Sequence, residues 1–105
     1  MSLRGKKLGL LLSTSPDHPN FARGVRLAET ALAEGVDVYC YCIDEAVRGV
    51  GDPRLQSLKG SGLKLFACAY AAQRRDLPIN DQALFSGLTI VSELINATDR
   101  FVSFN

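Results

Sequence analysis

Apolar runs alternate with amphipathic stretches along most of this chain. Residues 7–13, KLGLLLS, form a continuous apolar run of the kind found in strands covered on both faces. STSPDHPN follows as a turn-rich loop, in which Asp17 or Asn20 is placed to cap a helix and Pro19 to sit in its first turn. Phe21, Val25, Ala28 and Leu32 then recur at helical spacing, and Gly35 closes that helix. Residues 36–43, VDVYCYCI, carry the β-branched and aromatic side chains that suit a pleated surface and predict the second strand.

The pattern continues with shorter elements. A helical turn is expected at 44–47, a flexible loop over RGVGDPR, and a short helix at 55–59 that GSG ends. Residues 63–67 predict a third strand, 69–75 the start of a helix, and 83–86 a short fourth strand. A helix at 87–96 and a last strand at 98–104 complete the chain. In that helix Leu88, Val91 and Ile95 share one face, while Ile90 and Leu94 lie off the stripe. Strands alternating with helices predict a three-layer α/β/α sandwich with a mainly parallel sheet of about five strands. The whole of residues 1–105 makes one domain, because so short a chain cannot supply two cores.

Composition narrows the class. With 47% hydrophobic and 22% charged residues, the chain has the balance of an ordinary soluble globule. A net charge of +1 leaves no electrostatic footprint for nucleic acid, and the absence of Trp leaves no stacking platform. Lys6 and Lys7 ahead of Leu8 imitate a secretory signal, but the apolar run is too short and no small-x-small cleavage site follows. No run approaches the length of a membrane span, so a cytoplasmic protein is expected, with neither membrane nor nucleic acid as partner.

Three cysteines fit that expectation, since an odd count argues against a disulfide scaffold. Cys40 and Cys42 stand two apart in a strand, without the turn spacing that zinc sites favour, and their separation of about 6.5 Å exceeds comfortable disulfide geometry. Both read as core or wall residues, Cys42 being the nearer to the carboxyl rim of the sheet, where parallel folds collect their chemistry.

Cys68 is different. It stands where an apparent strand, LKLFA, becomes an apparent helix, AYAAQRR. The attacking form of cysteine is the thiolate, and a helix start offers an anion unpaired N–H groups and about half a positive charge. Arg74 and Arg75 lie about 9–10 Å along that helix, too far to partner the sulfur, and suit its carboxyl end or a docking surface. His18, in the loop after the first strand, is a candidate proton shuttle on the same rim. The Ser13–Thr14–Ser15 loop lacks the glycine pattern of a phosphate cradle.

KGSGLKLFACAYAAQRRDL resembles the cysteine segment of the DsrE/DsrF-like (TusD-like) sulfur-relay family, in which a strand reaches a cysteine and an alanine-rich helix ends in paired basic residues. SGLTIVSELINATDRFVSFN is similar to that family's last helix and strand, and the amino-terminal half matches more loosely. The resemblance implies a persulfide carrier in which Cys68 accepts a sulfur from a donor protein and passes it to an acceptor, with no metal or organic cofactor. It also implies a homo-oligomer, a trimer or hexamer, or a complex with paralogues. His18, Cys42, Tyr70, Arg74 and Arg75 are the candidate partner or rim residues. The stretch from Arg75 to Ser86 is shorter than in the relay subunits, and Cys40 and Cys42 lie outside the family pattern. The residues leave two other tasks open: a non-catalytic assembly or regulatory subunit, and small-ligand or nucleotide binding at the rim.

Overall fold

Five strands form one sheet: β1 (Lys7–Leu12), β2 (Asp37–Cys42), β3 (Lys64–Cys68), β4 (Leu84–Ser86) and β5 (Arg100–Phe104). In this computed structural model, which describes residues 2–105, they lie in the order β4-β3-β2-β1-β5. Every neighbouring pair is parallel, so each strand must be joined to the next in sequence by a return crossing. Four helices supply these crossings: α1 (Pro19–Ala33), α2 (Pro53–Gly60), α3 (Ala69–Arg74) and α4 (Thr89–Ala97), with a 3₁₀ turn at Asp44–Gly49. The fold is the parallel α/β architecture that the pattern predicts.

Register decides which side chains share a face. Leu10, Cys40 and Leu65 align across the three central strands, and Leu12, Cys42 and Ala67 align two residues further on. All six are buried. α1 packs over β1, β2 and β5 on this side, and α2 over β3. Gly24 lets α1 approach the sheet closely, because a methyl group there would overlap the Leu12 side chain.

The opposite face carries Leu11, Tyr39, Tyr41, Phe66 and Cys68 by the same alternation. α4 packs on β1 and β5. Tyr39 and Phe66 are only half-buried, and Leu84, aligned with Phe66, is 58% exposed. One face is thus closed and the other partly open.

Two local expectations are corrected. α1 is capped by His18, whose Nδ1 accepts the Asn20 N–H at 3.1 Å, rather than by Asp17 or Asn20. Asp17 is hydrogen-bonded to Ser15, while the Asn20 side chain donates to the Asn105 carbonyl and accepts from Arg23. In α4 the inward residues are Leu94, buried, with Ile90 and Val91 packed beside it, whereas Leu88 and Ile95 are exposed. The helix starts at Thr89 and leaves Leu88 at its cap, so the inward arc is rotated from the expected stripe.

Candidate functional site

β3 ends on Cys68, and the same residue caps α3. Its Sγ accepts the Ala71 N–H at 3.4 Å, meeting one of the donors that a helix start leaves free. Ala69, Ala71 and Ala72 keep that first turn narrow, and Ala71 and Ala72 are buried. The thiol itself is nearly covered, with Cys68 only 3% exposed.

One further side chain, Tyr41, approaches this sulfur, and Ser86 stands beside Cys68 in the sheet. Tyr41, on the adjacent strand and the same face, donates its hydroxyl to the carbonyls of Ser86 and Gly87, each at 3.2 Å. Burial pushes this phenol up to about 12; the neighbouring Ser86 hydroxyl eases the shift, and the nearby Cys68 adds to it. Ser86 stands opposite Cys68 in the β3–β4 ladder. Its Oγ lies near the phenol but outside hydrogen-bond geometry, and it is buried with no protein partner. Neither residue stands out in the sequence. The alternation of YCYC placed Tyr41 on the face opposite the two cysteines, but only the order β4-β3-β2 brings Tyr41, Cys68 and Ser86 together.

The other candidates occupy different parts of the fold. Cys42 aligns with Ala67 on the closed face, opposite to Cys68. Its interaction with the Cys40 thiol, and then burial, raise its pKa well above the ordinary thiol range, which disfavours a nucleophilic thiolate there. His18 is exposed in the loop after β1, a strand separated from β3 by β2. Tyr70 is 66% exposed on α3, where Arg74 donates to its hydroxyl at 3.1 Å and stacks 5.8 Å from its ring centroid.

Arg75 has a structural task. It pairs with Glu45 and Asp44 at 2.5 Å each and donates to the Ala71 carbonyl at 3.1 Å. The arginine thereby ties the carboxyl end of α3 to the 3₁₀ turn, where Asp44 holds a left-handed backbone at φ 55°. Arg75, together with Arg48, holds the Glu45 carboxyl below its ordinary range. Two cavities lie away from the sulfur. One of about 460 Å³ opens at the amino ends of the strands against Leu8, Leu27 and Val36; another of about 750 Å³ lies beside Phe66, Ala83 and Leu84. Cys68 lines neither.

A five-stranded parallel α/β domain with a cysteine at the turn from its third strand into a helix defines the class of this protein. The chain belongs to the DsrE/DsrF-like family, which matches residues 6–104. Among solved structures it is similar to the ychN protein from E. coli, at 15% identity over 94% of this chain and 99% of that one, with a TM-score of 0.79. It is also similar to BT1422 from Bacteroides thetaiotaomicron, a conserved protein of unknown function, at 16% identity over 93% and 94% of the two chains and a TM-score of 0.76. At these identities the likeness concerns the fold alone. No functionally curated protein matches the chain.

Proposed function

We propose that this protein is a sulfur-relay protein that carries sulfur as a persulfide on Cys68. The observation that supports this reading best is the placement of Cys68 as the cap of α3, its sulfur receiving the Ala71 N–H. In the transfer step the Cys68 thiolate attacks the outer sulfur of a donor persulfide, R–S–SH. The bond between the two donor sulfurs breaks as the Cys68 S–S bond forms; the donor departs as the thiolate RS⁻, and Cys68–S–SH remains. The exchange is redox-neutral and needs no cofactor.

The reading includes donor and acceptor proteins that dock beside α3, where Tyr70 and Arg74 form an exposed aromatic and cationic pair. It also includes a homo-oligomer, for which the half-open sheet face of Tyr39, Phe66 and Leu84 is the supporting feature. Because Cys68 is nearly covered, a donor must displace side chains above it to reach the sulfur.

That burial also favours a second reading, a non-catalytic assembly or regulatory subunit. One experiment separates the two. Wild-type protein treated with glutathione persulfide and weighed intact gains one sulfur, and Cys68→Ser gains none. A wild type that gains nothing, or a Cys68→Ser variant that loads equally well, leaves the assembly role standing alone.

A further inference from the structure

Among the described residues, two side-chain hydroxyls, Thr14 and Ser86, are buried with no hydrogen-bond partner. Such a group carries a desolvation cost that folding does not recover, and native proteins hold few of them. Ser86 stands beside Cys68 in the ladder, on the side where Tyr41 also approaches the sulfur. Tyr41 uses its own proton on the backbone carbonyls of Ser86 and Gly87. It therefore fixes the end of β4 through the main chain and leaves the Ser86 hydroxyl unengaged.

We infer that the Ser86 hydroxyl is the hydrogen-bond donor for the outer sulfur of a persulfide on Cys68. The inference rests on the relay reading and adds to it the group that receives the transferred atom. Adjacent strands lie about 4.8 Å apart, and a second sulfur extends a side chain by about 2 Å. A persulfide on Cys68 that leans toward β4 brings its outer atom within reach of the serine. That atom is an anion when the persulfide is ionised, so an O–H donor both orients it and stabilises its charge. No bond to Ser86 forms or breaks. The ligand class is a single sulfane sulfur held as an anion, and the positioning residue for it is Ser86, steadied by Tyr41.

The test compares wild type, Ser86→Ala and Ser86→Thr after loading with glutathione persulfide, following the loss of the Cys68 sulfur to dithiothreitol by intact mass. The alanine variant is expected to lose its sulfur about tenfold faster, as befits one lost hydrogen bond to a charged atom, and the threonine variant to recover most of the wild-type lifetime. Iodoacetamide should alkylate unloaded Cys68 at the same rate in all three, because the serine acts on the outer sulfur. Thermal melting supplies the readout that a structural role would reverse: Ser86→Ala should melt at or above the wild-type temperature, since it deletes an unsatisfied polar group. Equal sulfur lifetimes in wild type and Ser86→Ala, or a lower melting temperature in the variant, overturn the role of Ser86 and leave the relay intact. A wild type that never loads overturns the relay and this inference together.

Discussion

Cys42 and Cys68 end adjacent strands of the same sheet, one residue out of register, yet they face opposite sides. Cys42 sits under α1 and α2 among Leu12, Ala67 and the Cys40 thiol, where its charged form is disfavoured. Cys68 sits on the side where α4 packs on β1 and β5, next to a phenol, an orphan hydroxyl and a helix start. Both residues are buried, so burial does not distinguish them. What differs is the supply of donors. A thiol among hydrocarbon behaves as a small apolar group, whereas the Cys68 sulfur receives the Ala71 N–H at the start of a helix.

The largest contrast expected between the faces is in sulfur loading. Cys42→Ala should gain sulfur as wild type does while Cys68 variants gain none, and a Cys42→Ala variant that fails to load would join the two faces into one site. Intact mass after persulfide treatment reads this directly.

Stability should differ in the opposite sense. Leu12→Ala on the closed face is expected to cost about 2–5 kcal/mol in denaturant unfolding, because it removes a fully buried side chain beneath Gly24. Leu84→Asp on the open face should change stability by roughly 0.5 kcal/mol or less. Sedimentation of the same Leu84→Asp protein checks the assembly role of that face: a shift from oligomer to monomer sharpens the contrast, and an unchanged species removes the face from the interface.

An effect smaller than that of Leu12→Ala concerns Tyr41. Tyr41→Phe should cost about 1 kcal/mol, the net worth of a hydrogen bond. The phenol's folded value of about 12 exceeds its ordinary 10.0, so its contribution is complete below pH 10.0 and disappears as pH rises through about 12. Wild-type stability should fall over that window more steeply than that of Tyr41→Phe. Alkaline unfolding curves with parallel slopes would break the link between Tyr41 and the covered side of Cys68.

Much of this molecule was legible along the chain. The apolar run at β1 and the β-branched and aromatic run at β2 predicted buried parallel strands, since local periodicity records which residues meet the core. The position of Cys68 was legible for the same reason: a strand pattern stops there and a run of small helix formers begins. Capping was less so. Asp17 and Asn20 suit an N-cap by type, but both are engaged elsewhere, and the cap passed to His18.

The inward arc of α4 was hidden because its apolar residues cover more than one stripe, and only docking on β1 and β5 selected Leu94 over Ile95. Sequence by itself determined the succession of elements and the thiol at a strand-to-helix turn, because those depend on neighbours a few positions away. The tertiary structure alone decided that Tyr41 and Ser86 meet that thiol. Their separations along the chain are 27 and 18 residues, and only the lateral order of three strands brings them together.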